Sequence, residues 1–171
     1  MLPFVRDNVF LCGLSGSGKS TVARLLARSR ESEVLDTDAL VVSEAGMSIA
    51  EIFAREGERG FREREARAVA GACARSGVVV ALGGGALERD DSLELVLSSG
   101  TLVFLDADDD VLAARVAREG NEIRPLLSKP GAIGSMRARR QPHFMRAALT
   151  IDTTNLTPEE VAEQLRAGIL R

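Results

Sequence analysis

Short apolar runs recur along the chain, and most of them stop abruptly at a glycine or an aspartate. Val9-Phe10-Leu11-Cys12 stops at Gly13, Val34-Leu35 at Asp36, Val78-Val79-Val80-Ala81-Leu82 at Gly83, Leu102-Val103-Phe104-Leu105 at Asp106, and Leu149-Thr150-Ile151 comes last. Runs with little polar alternation predict strands buried on both faces, as in a parallel sheet. Helical spacing fills the intervals. Val22, Leu25 and Leu26 share one face after the first run, with Arg24, Arg28 and Arg30 elsewhere. The stretch from Ser48 to Ser76 is rich in Glu, Arg and Ala and reads as helix, with a break near Gly57 to Gly60. Ser92 to Leu97 reads as a further helix, and so does Asp108 to Arg118, whose first-turn acids suit the helix dipole. Thr157 and Pro158 are the cap and first residue of a closing helix.

Five strands separated by helices predict an α/β fold, a parallel sheet covered on both faces, within one domain spanning residues 1–171. The pattern fails between Glu119 and Gly134, where Gly120, Pro125, Pro130, Gly131 and Gly134 gather. A stretch this irregular inside a compact domain is functional or disordered, and it reads as a mobile lid over about residues 115–134.

Composition narrows the partners. The 171 residues are 45% hydrophobic and carry 22 Lys and Arg against 25 Asp and Glu, a net charge of −3. That balance lacks the basic field that a nucleic-acid polymer requires. With no Trp, no Tyr and 6 Phe, there is no base-stacking platform either. Cys12 and Cys73 have no metal spacing and read as buried free thiols in a reducing compartment. His143, the single histidine, makes neither a zinc site nor a Ser-His-Asp triad easy to assemble. The first residues lack a signal peptide's basic start and long apolar core, and no apolar run approaches the roughly 20 residues of a membrane span. The expectation is a cytoplasmic monomer acting on a small molecule.

The chemistry begins after the first strand. Gly13-Leu14-Ser15-Gly16-Ser17-Gly18-Lys19-Ser20 matches G-x-x-x-x-G-K-[ST], between a strand and a helix, where the pattern must sit. Its glycines let backbone N–H groups approach phosphate oxygens, and the helix N-terminus adds its dipole. Lys19 can reach the β- and γ-phosphates and Ser20 can bind Mg²⁺, so the segment is a nucleoside triphosphate cradle. Asp36-Thr37-Asp38 follows the second strand, at the sheet edge where ligands collect. On an extended segment the two carboxylates point the same way. One can hold Mg²⁺ through water while the other takes a hydroxyl proton; an Asx turn with a helix cap at Asp38 is the alternative. Gly83-Gly84-Gly85 exposes N–H groups at the crevice or simply turns the chain. Taken alone, Arg62 and its charged neighbours read as a solvated helix face, with Phe53 and Phe61 as plain core. Arg124-Pro125-Leu126-Leu127 puts an arginine on the irregular segment, to offset charge on a moving phosphoryl group or as an exposed loop cation, and Arg139-Arg140-Gln141-Pro142 reads as a basic helix end.

Taken in order, the cradle, Asp36-Thr37-Asp38, Phe61-Arg62-x-x-Glu65, the triple glycine, Arg124-Pro-Leu-Leu and Arg140-x-Pro resemble the shikimate kinase family over most of the chain, from about Val9 to Val161. The resemblance implies a three-layer α-β-α P-loop kinase fold that moves the γ-phosphate of MgATP to the 3-hydroxyl of shikimate. It implies a nucleotide site at Gly13, Ser15, Gly16, Ser17, Gly18, Lys19, Ser20 and Thr21. Arg118, Asn155 and Pro158 would flank the adenine. Ser20 and Asp36 would serve the metal, and Lys19, Asp38 and Arg124 would carry the chemistry. Asp38, Phe53, Phe61, Arg62, Gly83, Gly84, Gly85 and Arg140 would hold the acceptor, with Arg62 and Arg140 on its carboxylate. Paired guanidinium forks suit a planar carboxylate better than lysine would. Gluconate and adenylylsulfate kinases have similar cradles but not Phe-Arg-x-x-Glu together with Arg-Pro-Leu-Leu. The chain departs from the family pattern inside the cradle, at Val42, where an acid is common, and at His143-Phe144.

Overall fold

The computed structural model describes residues 8–119 and 131–169. Five strands, β1 (Asn8–Cys12), β2 (Val34–Asp36), β3 (Val79–Ala81), β4 (Gly100–Asp106) and β5 (Leu149–Asp152), form one sheet in the order β2-β3-β1-β4-β5. Every pairing is parallel, with Val9 opposite both Val79 and Thr101. The helices are α1 (Lys19–Arg30), α2 (Thr37–Ala45), α3 (Ile49–Cys73), α4 (Asp90–Ser99), α5 (Asp109–Glu119), α6 (Ala132–Phe144) and α7 (Pro158–Ile169).

Strand alternation sorts the core into two layers. Val9, Leu11, Val79, Ala81, Val103 and Leu105 face Val22 and Leu26 of α1 and Val161 and Leu165 of α7. Phe10, Cys12, Val80, Leu102 and Phe104 face Val69 and Ala72 of α3, Leu93 and Val96 of α4 and Phe144 of α6. Phe104 and Phe144 stack with ring centroids 5.0 Å apart. A smaller cluster of Val41, Ile52, Phe61 and Ala68 joins α2 to α3 at one end of the sheet. The expected three layers are present, and both cysteines are buried and outside any disulfide.

The expected break in the long helix falls at Gly57, whose φ of 70° and ψ of −175° interrupt α3. Two helices differ from expectation. Asp36 and Asp38 do not share an extended segment: Asp36 ends β2 and caps α2 by accepting from the N–H groups of Asp38 and Ala39, so Asp38 lies in the first helical turn. The cap is therefore Asp36 rather than Asp38. The basic stretch before β5 belongs to α6, which begins at Ala132 and carries Pro142 in its last turn. The flanks of the expected lid are likewise helical, 115–119 ending α5 and 132–134 opening α6. Residues 120–130, with Arg124, lie outside the described residues. None of the described helices is long and apolar enough to cross a membrane.

Candidate active site

The loop after β1 turns sharply enough that a Cβ on Gly13, whose φ is 145°, would overlap the carbonyl oxygen of Leu105. Gly18 enters α1 in the left-handed region, at φ 90°. The Ser17 N–H closes a turn on the Leu14 carbonyl at 3.2 Å, and Lys19 folds back over the loop. Its Nζ donates to the carbonyls of Gly13 at 2.9 Å and Leu14 at 2.8 Å. Cys12, one residue upstream, is no nucleophile here, because burial pushes its thiol up to about 12.

Next to the cradle, Ser20 Oγ donates to Asp36 Oδ2 at 2.7 Å, while Asp36 Oδ1 accepts from the Asp38 N–H at 3.0 Å. One carboxylate oxygen is thus spent on the helix cap and the other is aimed at the cradle serine. Among the described residues no group of three His, Cys, Asp or Glu is arranged to hold a metal. A hydroxyl with a single carboxylate suits a cation that takes its other ligands from phosphate and water, as Mg²⁺ does.

One cavity of about 590 Å³ runs from this cradle to the acceptor end. Ser15, Gly16, Gly18, Lys19, Ser20, Thr21 and Asp36 line its phosphate side, and Asp38, Phe53, Phe61, Arg62, Gly84, Gly85 and Arg140 line the other. Phe53 and Phe61 form a tilted pair, 4.8 Å between centroids, and the Arg62 guanidinium sits 5.4 Å above the Phe61 ring. Gly83 stands behind this lining. Its N–H is committed to Thr37 Oγ1 at 2.8 Å, and a Cβ there would press on Asp38 and Glu65.

Gly13 and the buried Ser17 shape the loop without lining the cavity, and Arg118, Asn155 and Pro158 are exposed and outside it. Arg115, which sequence reasoning passed over, joins the cradle to the loop before α7. It donates to the Gly16 carbonyl at 3.4 Å and to the Thr153 carbonyl at 2.7 Å. No local pattern distinguishes it from Arg118, the other arginine of α5.

The acceptor end holds more charge than was foreseen. Arg62 Nη1 donates to Glu65 at 2.6 Å, and its Nη2 lies 3.4 Å from Glu58 and 3.7 Å from Glu88. Arg140 donates from Nε to Glu88 at 2.6 Å. Burial works against charge on Arg62, yet Glu65, Glu88 and Glu58 raise its pKa above the ordinary value. Arg140 moves the other way, because burial, with Arg62 and Arg139 nearby, outweighs Glu88. Glu65 is 3% exposed, and burial raises its pKa against the pull of Arg62, with the charge of Asp38 adding to the rise. Glu65 was visible inside Phe-Arg-x-x-Glu but had been given no task, and Glu88 gave no sign in the sequence.

The sequence model of the family described as shikimate kinase matches residues 15–169. The chain belongs to the shikimate kinase family. It is therefore a kinase, and ATP is its phosphoryl donor. A curated shikimate kinase of Symbiobacterium thermophilum is 45% identical over 144 residues, covering 82% of this chain and 83% of that protein. Among solved structures, shikimate kinase from Acinetobacter baumannii in complex with shikimate superposes with a TM-score of 0.89 at 32% identity, over 96% of this chain and 93% of that one. The enzyme from Aquifex aeolicus gives 0.84 at 31% identity, over 95% and 96%.

Proposed function

We propose that this shikimate kinase family member transfers the γ-phosphoryl group of ATP to the 3-hydroxyl of shikimate, giving 3-phosphoshikimate and ADP, a step toward chorismate and the aromatic amino acids. The observation that carries the reading is that Asp38, Arg62 and Arg140 line the same cavity as Lys19. Had these side chains faced separate regions of solvent, no acceptor carboxylate and hydroxyl could be held together beside a terminal phosphate.

In this reading Arg62 and Arg140 bind the acceptor carboxylate with planar forks, Phe53 and Phe61 wall the ring, and the Gly84 N–H offers a donor. Asp38 accepts the proton of the hydroxyl as its oxygen attacks the γ-phosphorus. The bond from that phosphorus to the β,γ-bridging oxygen breaks, and ADP departs with the electron pair. Lys19 leaves the loop carbonyls for the phosphates and offsets charge on the transferring group. Arg124 is given the same task from the lid by resemblance alone. Ser20 and Asp36 would hold Mg²⁺, which when bound offsets charge across the β- and γ-phosphates. Arg115 supports the adenine placement, since it fixes the loop containing Asn155 against the cradle. Residues 1–171 act as one domain in this account, because strands from both described stretches share one sheet.

The test is ADP release in the presence of MgATP with shikimate or gluconate as acceptor. Turnover is expected with shikimate and only background with gluconate. Equal stimulation by both, or by neither, would remove the assignment.

A further inference from the structure

The reaction described above does not use Glu88. It sits in the turn after β3, where its N–H donates to the Gly85 carbonyl at 3.0 Å. Its side chain is 19% exposed and faces three guanidinium groups. Oε1 accepts from Arg140 Nε at 2.6 Å and from Arg139 Nη2 at 3.1 Å, and it lies 3.7 Å from Arg62 Nη2. Arg139 is half-exposed, so water competes for it, whereas Arg140 and Arg62 are largely buried.

The atoms engaged decide between blocking and orienting. A carboxylate that blocked Arg140 would occupy the two Nη groups of its fork. Glu88 instead takes Nε. Arg140 Nη1 is left 3.5 Å from the Met136 sulfur, and a Cβ added at Gly84 would stand 3.1 Å from it. Met136 and Gly84 both line the cavity, so this contact turns the fork of Arg140 toward the acceptor. Glu65 grips Arg62 through Nη1, and Glu88 braces the same guanidinium from the Nη2 side.

We propose that Glu88 is a positioning residue for acceptor recognition, fixing the guanidinium of Arg140 and bracing that of Arg62 so that both meet one acceptor carboxylate in a single geometry. The inference rests on the acceptor reading given above. A long side chain held at Nε keeps its fork preorganised; without the hold, binding must order it afresh.

The test compares wild type, Glu88→Ala and Glu88→Gln in steady-state kinetics, with thermal melting to confirm folding. Glu88→Ala is expected to raise the shikimate KM about tenfold, the effect of losing one charge-assisted hydrogen bond, with kcat and the ATP KM within about twofold of wild type. Glu88→Gln keeps an oxygen that can accept from Nε but loses the charge, so its shikimate KM is expected to fall between the two. A shikimate KM for Glu88→Ala that is unchanged or lower, or an equal rise in the ATP KM, would overturn the proposal. So would parity of Glu88→Gln with wild type, whether or not the alanine variant folds. A wild-type enzyme inactive on shikimate would instead reject the functional reading.

Discussion

Replacing Gly83 by alanine tests the placement of Asp38 with one methyl group. The Gly83 backbone is not in the left-handed region, so alanine meets no conformational penalty there. The space is what forbids it. The new Cβ would overlap Asp38 Oδ1, stand 2.9 Å from Glu65 Oε1 and lie 3.3 Å from Asp38 Cγ. Relief requires the Asp38 carboxylate to retreat by about 1 Å toward an ordinary contact distance. A misplacement of that size at a reacting group costs about a hundredfold in rate, or about 2.7 kcal/mol of barrier. Were the backbone to yield instead, it would strain the Gly83 N–H bond to Thr37 and cost about 1–3 kcal/mol of stability.

Kinetics and melting separate these outcomes. With saturating ATP and shikimate, kcat of Gly83→Ala is expected to fall about a hundredfold while nucleotide affinity, read by titration, stays at the wild-type value. The loss should also be non-additive with Asp38→Ala, because both substitutions remove the same carboxylate from the same hydroxyl. A variant that keeps kcat within about threefold of wild type, with an unchanged melting temperature, would show that Asp38 does not need its present position.

Other substitutions probe other parts. Gly71→Ala in α3 meets nothing within 4 Å and should raise stability by about 0.5–1 kcal/mol; a lower melting temperature would contradict this. Lys19→Ala should reduce kcat by about 10³-fold in a folded protein, and near-normal turnover would remove Lys19 from the phosphate's path. Glu65 holds its proton to higher pH in the folded state than its ordinary value of 4.5, so its contribution stabilises at low pH and is lost as pH rises through the folded pKa. Urea unfolding should therefore show wild type losing stability relative to Glu65→Gln from about pH 4.5 upward. A difference that does not vary with pH would mean that Glu65 is not perturbed.

Much of the fold was legible because its signals are local. The unbroken apolar runs are the strands, the glycine spacing is the cradle, and Gly57 does break the long helix. Two helices, read only as a possible cap at Asp38 and a basic helix end near Arg140, lack such signals. α2 starts directly from β2 and buries only Thr37 and Val41, so its first residues resemble a continued strand. α6 contains Gly134 and Pro142 and buries only Arg140 and Phe144. It is held by partners far away in sequence: Arg137 reaches Asp106 and Asp109, and Arg140 reaches Glu88, 52 residues distant. No window along the chain contains those pairs.

The same distance effect explains which site residues were legible. A residue that touches phosphate or acceptor sits in a motif, because its neighbours must shape the backbone around the ligand. A residue that prepares another for contact has only to arrive at the right point in space. Two largely buried guanidinium groups directed at one point would repel each other and would be costly to desolvate before any acceptor arrived. Glu65 and Glu88 remove that difficulty by pairing with Arg62 and Arg140. The carboxylates are thus the condition under which the arginines, themselves largely buried, stay preorganised along the cavity. Asp38 shares that space with Glu65, whose carboxyl already responds to its charge. This end of the cavity therefore acts as one electrostatic unit, in which the arginines, their carboxylate partners and Asp38 depend on each other's positions.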